Sequence, residues 1–291
     1  MCTAVLVKDK CALFGRTLDL DYHYSESIVT VPRNFSFSFG KGPFAVIGTA
    51  FMKNGFPLFY DGMNEKGLSA AGLNFPESAV YFSEKKGFEN IASFELIPWI
   101  LSTCSEITEA KEKLERANIL STAFSKDLPP TPLHWIFADK TGSIVAEPRE
   151  SGLEIYENPV GVLANEPPFP KQLENLEKIK TAAFENNLSS EERFAKAFFM
   201  KENCVFEKDP VSAFFHILES VGKTPLKENP QKTVYSSCMD LEKGIYYYRT
   251  FENSRTVAVD MKKEDFNGKK AVFYPMIFEN DIFNQNLKIS G

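Results

Sequence analysis

Cys2 stands directly behind Met1 in the opening run Met1-Cys2-Thr3-Ala4-Val5. Removal of Met1 puts a thiol and a free α-amino group on one residue. A deprotonated thiol is a strong nucleophile, and an α-amino group titrates near pH ~8, so much of it acts as a base around neutrality. One residue then supplies both nucleophile and general base. A buried strand cysteine has the same sequence signature. The reading therefore turns on whether the chain supplies partners for Cys2.

Four segments offer them. A hairpin after the first strand brings Gly15-Arg16-Thr17-Leu18-Asp19 back beside Cys2. An arginine there stabilises a thiolate, and a carboxylate there holds an α-amino group by a charge-assisted hydrogen bond; a surface ion pair at a strand end is the plain alternative. Ala71-Gly72-Leu73-Asn74-Phe75-Pro76 ends an apolar strand in an asparagine, and Gly161-Val162-Leu163-Ala164-Asn165-Glu166-Pro167 repeats that design. Such asparagines are common turn formers. Two of them together also make an oxyanion hole, whose donors must point at developing negative charge. Arg193 falls in the first turn of a predicted helix, where the helix dipole disfavours a cation. A surface position explains it, but so does a role outside the helix.

The elements that must position these residues are strands first. Cys2–Val7 and Cys11–Arg16 are joined by Lys8-Asp9-Lys10 as a hairpin. Ser27–Val31 follows. Phe35–Phe39 alternates strictly at period two and predicts a strand. Phe44–Ala50, Pro57–Asp61 and Leu68–Asn74 complete the block, with Asp61–Leu68 read as a turn-rich connector. Ile91–Cys104 predicts a helix kinked or divided at Pro98. Ser105 is the expected N-cap of a helix running to Ala117, with Ile107, Ala110, Leu114 and Ala117 on one face. Strands return at Leu133–Asp139, Ser143–Glu147, Leu153–Glu157 and Val160–Asn165. A helix is expected over Lys171–Lys180. A second opens on the capping box Ser189-Ser190-Glu191-Glu192, and a third on Asp209-Pro210, with Val211, Phe214, Phe215, Leu218 and Val221 as its buried stripe. Thr233–Met239, Gly244–Thr250 and Arg255–Asp260 are the last strands. Blocks of strands alternate with blocks of helices, and no β-α-β run with glycine-rich phosphate turns occurs. The expectation is α+β, two antiparallel sheets covered by helices, rather than a Rossmann-type fold. No internal repeat or linker divides the 291 residues, so residues 1–291 are read as one domain.

Composition narrows the function classes. There are 33 basic and 39 acidic side chains, a net charge of −6 that disfavours nucleic acid and anionic membranes as partners. No run approaches the ~20 apolar residues of a membrane span, and no secretory signal precedes Cys2. The 5 cysteines are odd in number and include no C-x-x-C pair, which points to reduced thiols in a cytoplasm and to neither zinc nor a disulfide framework. An N-terminal cysteine enzyme needs that setting, because an oxidised Cys2 cannot attack. The 3 histidines, His23, His134 and His216, lack metal-ligand spacing. His134 reads as a strand residue and His216 as a helix-face residue. The 27 phenylalanines read mainly as core, with a minority free to line an apolar pocket.

The chain resembles the choloylglycine hydrolase family of N-terminal nucleophile (Ntn) hydrolases, which includes bile salt hydrolases and penicillin V acylases. Met1-Cys2-Thr3, Leu13–Asp19, Val31-Pro32-Arg33-Asn34-Phe35, Asp61–Leu68, Ala71–Pro76, Leu133-His134-Trp135, Gly161–Asn165, Ser237-Cys238-Met239 and Glu242–Tyr248 carry the resemblance, in order, over nearly the whole chain. It implies a four-layer αββα sandwich, removal of Met1, and hydrolysis of a C–N amide bond through a Cys2 thioester without metal or organic cofactor. It implies Cys2 as nucleophile, its α-amino group as base, Arg16 and Asp19 as their assistants, Asn165 with the backbone of Asn74 as oxyanion hole, and Arg193 as the last member of the set. Leu18, Tyr60 and Asn74 would face a small amphipathic amide. Glycine- and taurine-conjugated bile salts are the first expectation. Penicillin V or an N-acyl homoserine lactone is the second, and an inactive protein that holds an amphipathic ligand is a third, against which the complete set argues. Asn74 in place of tyrosine is closer to the bile salt branch. Tyr60 is bulkier than the residue expected beside a steroid pocket. The segment between Asn165 and Arg193 is shorter than in typical bile salt hydrolases, where a protruding loop joins subunits. The expectation is therefore a homo-oligomer at most, and not that tetramer.

Overall fold

In a computed structural model, which describes residues 1–8, 11–179 and 189–282, the strands fall into two large sheets and one separate pair. In chain order they are β1 (Cys2–Val7), β2 (Leu13–Leu20), β3 (Ser27–Val31), β4 (Val46–Lys53), β5 (Phe56–Asn64), β6 (Ser69–Asn74), β7 (Glu89–Ala92), β8 (Ala117–Leu120), β9 (Leu133–Ala138), β10 (Ser143–Arg149), β11 (Gly152–Glu157), β12 (Val162–Leu163), β13 (Lys232–Asp240), β14 (Ile245–Thr250), β15 (Val257–Asp260) and β16 (Val272–Pro275). The helices are α1 (Leu96–Thr103), α2 (Ile107–Leu114), α3 (Phe169–Ile179), α4 (Ser190–Asn203) and α5 (Pro210–Val221). One sheet has the order β12-β1-β2-β13-β14-β15 and the other β11-β10-β9-β6-β5-β4-β3-β16. Neighbours pair antiparallel throughout both.

The sheets face one another through β1, β2 and β6. Helices α4 and α5 cover the outer face of the first, packing on β1, β12, β2 and β13, and α1 and α2 cover the second. This is the expected αββα sandwich. Strands buried on both faces carry near-continuous apolar runs rather than alternation. Accordingly all six residues of β1 are buried, and so are the first seven of β2.

Several local expectations give way to tertiary context. Phe35–Phe39 forms no strand beyond a single bridge from Phe37 to Gly40. Its alternate rings instead pack on one another, with Phe37 4.9 Å from both Phe35 and Phe39, so the period records an aromatic cluster. Pro98 neither kinks nor divides a helix. It is the third residue of α1, where the missing N–H has no intrahelical partner to lose. The stretch ahead of it holds β7, which pairs in parallel with β8. The next helix is shorter than expected. Its cap is Glu106 rather than Ser105, and Ala117 has passed into β8. Asp61 to Asn64 belongs to β5, not to a connector, and only Val162–Leu163 of the expected Val160–Asn165 strand pairs regularly. Asp9 and Lys10 of the expected hairpin turn lie outside the described residues, as does Lys180.

The helix caps agree with the sequence. Ser189 Oγ accepts from Glu192 N–H at 3.2 Å, and Glu192 Oε2 accepts from Ser189 N–H at 2.8 Å. Asp209 Oδ1 accepts from Ser212 N–H at 3.0 Å, with Pro210 as the first helical residue.

Candidate active site

Cys2 begins β1, an inner strand held between β2 and β12. The β1–β2 register sets Cys2 opposite Leu18. Beside it the α-amino group of Met1 donates to the Asp19 carbonyl at 2.8 Å, and Asp19 N–H donates to the Met1 carbonyl at 2.9 Å. The hairpin thus delivers Asp19 to the start of β1, as its spacing predicted. Cys2 is 3% exposed and unpaired with any other cysteine.

Asn165 follows the short strand β12 and turns its carboxamide onto Cys2. Oδ1 accepts from Cys2 N–H at 2.6 Å and from Arg193 Nη2 at 2.9 Å, while Nδ2 donates to the Asn74 carbonyl at 2.7 Å. Two donors face the oxygen and one acceptor faces the nitrogen, which fixes the orientation of the amide. Nδ2 carries two hydrogens and the Asn74 carbonyl uses one. Gln172 of α3 locks the backbone here: Nε2 donates to the Asn165 and Pro167 carbonyls at 2.6 and 2.7 Å, and Oε1 accepts from Ala164 N–H at 3.1 Å.

Asn74 ends β6. The next residue, Phe75, donates its N–H to the Pro132 carbonyl at 2.8 Å, on the β9 side. Backbone groups alternate sides along a strand. The N–H of Asn74 is therefore turned the opposite way, to the side where the Gly72 and Asn74 carbonyls meet Arg16 and Asn165. The Asn74 side chain itself is exposed.

Arg16 of β2 crosses the sandwich. Its Nη1 donates to the Gly72 carbonyl on β6 and, at 3.2 Å, to the Tyr60 carbonyl on β5; Nε donates to the Thr17 carbonyl at 3.1 Å. Those carbonyls are free for a reason visible in the ladders. The β5–β6 pairing stops at Asp61–Ala71, and Tyr60 is the extra residue of a bulge where Thr49 pairs with Asp61 and Ala50 with Phe59. Burial opposes charge on Arg16. The facing Cys2, Tyr235, Asp61 and Asp19 outweigh it and hold the guanidinium above its ordinary value.

Asp61 lies fully buried in this group. Tyr235 Oη and Ser237 Oγ donate to its Oδ2 at 2.7 and 3.3 Å, and Tyr246 Oη donates to Oδ1. Burial still pushes its carboxyl above the ordinary aspartate value, against the pull of Arg16 and the tyrosines. Asp19 Oδ1 accepts from Thr233 Oγ1 at 2.7 Å. Asp19 Oδ2, Arg16 Nη2 and Arg193 Nε are buried with no protein partner among the described residues.

Arg193 leaves α4 for the sheet beneath. Its Nη1 donates to the Cys2 carbonyl at 2.6 Å and to Thr3 Oγ1 at 2.8 Å, while Nη2 takes Asn165 Oδ1. The side chain is fully buried. Desolvation lowers its readiness to hold charge, and Asp19 and Cys2 counter that. The awkward helical position is thus the position that reaches Cys2.

Six residues singled out in the sequence, Cys2, Arg16, Asp19, Asn74, Asn165 and Arg193, therefore converge on one place. Leu18 is buried as the cross-strand partner of Cys2, and Tyr60 contributes a carbonyl to Arg16 while burial pushes its phenol up. Sequence reasoning assigned no site role to Thr3, Asp61, Gln172, Thr233 or the pair His134–Glu147. Their neighbours are set by pairing between distant strands, which no local pattern encodes. His216, by contrast, is exposed on α5 beside Glu219. Among the described residues no group of His, Cys, Asp and Glu is arranged to hold a metal ion, and no helix is long and apolar enough to cross a membrane.

Known proteins repeat both the sequence and the fold. The family model for linear amide C–N hydrolases of the choloylglycine hydrolase family matches residues 2–274. The bile salt hydrolase/transferase of Lactiplantibacillus plantarum is 38% identical, covering 98% of this chain and 100% of that protein. Its counterpart from Clostridium perfringens is 35% identical over 94% of this chain and 96% of its own. The crystal structure of a conjugated bile acid hydrolase variant from Clostridium perfringens superposes with a TM-score of 0.91 at 33% identity, over 98% of this chain and 100% of that one. Penicillin V acylase from Agrobacterium tumefaciens shares the fold at a TM-score of 0.77 and 18% identity, over 94% and 90% of the two chains. On sequence and architecture together, the chain belongs to the choloylglycine hydrolase family of linear amide C–N hydrolases.

Proposed function

We propose that this chain hydrolyses the amide of glycine- or taurine-conjugated bile salts, with Cys2 as nucleophile after removal of Met1. Residues 1–291 act as one Ntn-hydrolase domain in this reading. The observation that carries it is the carboxamide of Asn165, which joins the backbone of Cys2 to that of Asn74 and leaves a hydrogen on Nδ2. The freed α-amino group takes the thiol proton, and Cys2 Sγ attacks the substrate carbonyl carbon. Negative charge gathers on the carbonyl oxygen, where Asn165 Nδ2 and the Asn74 N–H are its donors. Collapse breaks the C–N bond, the ammonium of Cys2 returns its proton to the departing amine, and a thioester remains. Water, deprotonated by the same amine, cleaves the thioester and restores the thiol. Arg16 supplies fixed positive charge beside the sulfur, Asp19 and Asn165 hold the amine, and Arg193 holds Asn165 and the Cys2 carbonyl. Leu18, Tyr60 and Asn74 are proposed to face the substrate.

The test is a parallel assay on glycocholate, taurocholate, penicillin V and an acyl homoserine lactone, using reduced protein whose intact mass lacks Met1. Release of glycine or taurine, abolished in Cys2→Ala, is the expected result. Turnover of penicillin V or the lactone alone would move the substrate to the other branch. Unchanged activity in Cys2→Ala would remove the nucleophile. The same preparation, sized in solution, tests the proposal that no tetramer forms; residues 180–188 of the short segment before Arg193 lie outside the described residues. A cytoplasmic setting is proposed with it, since the thiol must stay reduced.

A further inference from the structure

His134 and Glu147 form a buried pair that the mechanism above does not use. Both are fully buried, on adjacent strands β9 and β10. His134 Nε2 lies 2.8 Å from the Ala164 carbonyl, the residue before Asn165. A carbonyl only accepts, so Nε2 carries a hydrogen and donates it. His134 Nδ1 lies 3.0 Å from Glu147 Oε1, which also accepts the N–H of Phe169 at 2.9 Å. One further proton is therefore shared between Nδ1 and Oε1.

The flat face of the same imidazole stacks on Phe75, the residue after Asn74, with centroids 4.2 Å apart and planes 7° from parallel. Arg149 lies toward Phe75 as well, its guanidinium carbon 5.8 Å from that ring's centroid. One ring thus grips the neighbour of each asparagine: Ala164 by a hydrogen bond, Phe75 by stacking. Glu147 ties the ring to the start of α3, and α3 carries Gln172, which holds the Asn165 backbone from its other side.

We propose that His134, oriented by Glu147, is a positioning residue that fixes the Asn74 and Asn165 strand ends relative to one another, acting through Phe75 and Ala164 and touching no reacting atom. The inference rests on the reading of those asparagines as oxyanion donors. Misplacement of catalytic groups by about 1 Å from a remote change costs roughly 10²-fold in rate. The loss falls on kcat, because the donors act on charge that develops only in the transition state.

The experiment compares Asn165→Ala, His134→Phe and His134→Gln for kcat and KM on glycocholate and for the rate of Cys2 alkylation by iodoacetamide. His134→Phe keeps a ring against Phe75 and loses both hydrogen bonds; His134→Gln keeps a donor for Ala164. Expected for His134→Phe is a loss of kcat of roughly 10²-fold, with KM and alkylation near wild type and partial recovery in His134→Gln. Undiminished kcat in Asn165→Ala would overturn the oxyanion reading. A damaged Asn165→Ala beside His134 variants with wild-type kcat would overturn the positioning role alone. If His134→Phe does not fold, His134→Gln decides. Lowered kcat with normal KM and alkylation supports the role, whereas unchanged kcat, or alkylation falling in step with kcat, overturns it.

Discussion

Replacing Arg193 by methionine removes the fork that joins α4 to the start of β1 and to Asn165. Three hydrogen bonds go, to the Cys2 carbonyl, Thr3 Oγ1 and Asn165 Oδ1. Bonds to a charged group contribute about 1.5–3 kcal/mol each. Those figures do not add in full, because the three bonds share one guanidinium whose desolvation, several kcal/mol even after relaxation, methionine no longer incurs. The Cys2 carbonyl, left buried and unpaired, costs about 1–3 kcal/mol. The balance is a net destabilisation on the order of 3 kcal/mol. With an unfolding entropy of ~2.1 cal/mol/K per residue, that is a fall of about 5 °C in Tm. Arg193→Lys keeps a charge but not the planar fork, so it cannot serve all three acceptors and is expected to recover only part of the loss. The assay is thermal unfolding alongside Cys2 alkylation and kcat. Activity should fall further than stability explains, because Asn165 Oδ1 loses one of the two donors that fix its amide. A Tm within 1–2 °C of wild type, together with unchanged kcat, would refute the reasoning.

Three further outcomes follow from the same contacts. Thr3→Val removes one acceptor of the fork and keeps the shape; urea unfolding should show a loss of about 1.5 kcal/mol, below that of Arg193→Met. Gly15→Ala drives a Cβ into the Ser237 carbonyl of β13; expression and Tm should report a loss of about 3 kcal/mol or more, and a normally stable variant would contradict the close approach of β2 and β13. Asp61→Asn tests the buried carboxyl. Burial holds it above the ordinary value of 3.8, so the native state binds its proton more tightly than the unfolded chain does. The linked stability is present below the ordinary value and is lost as pH rises through the native one. Denaturant unfolding from about pH 4 upward should show wild type losing stability relative to Asp61→Asn as pH rises, and a constant difference would refute the linkage.

Much of the site was legible because its residues stand at strand ends that local pattern defines. Asn74 and Asn165 each close an apolar run before a turn, and Arg16 and Asp19 lie one hairpin away from Cys2. Arg193 was flagged by a local misfit, a cation at the wrong end of a helix, and the structure supplies the reason for it. What local pattern does not carry is contact made between sheets. Asp61 sits in a run that reads as a turn, yet it is a buried acceptor for hydroxyls on β13 and β14. Gln172 reads as one polar residue of a polar helix, yet it is 1% exposed and holds the Asn165 backbone. The same limit explains the strand errors. Phe35–Phe39 has the period of a strand but no neighbour to pair with, and β7, β8 and β16 are short pieces defined only by their partners.

The contacts around Cys2 also set an order of events in time. Its N–H reaches Asn165 across 163 positions and its carbonyl reaches Arg193 across 191. Contacts this distant in sequence carry a large loop-closure cost and are expected to form slowly during folding. Until they close, Cys2 is an ordinary cysteine on an edge of an unfinished sheet, without its arginines or its asparagine. A residue near the front of the chain is thereby equipped among the last, and its alkylation rate during refolding becomes a clock for completion of the whole sandwich.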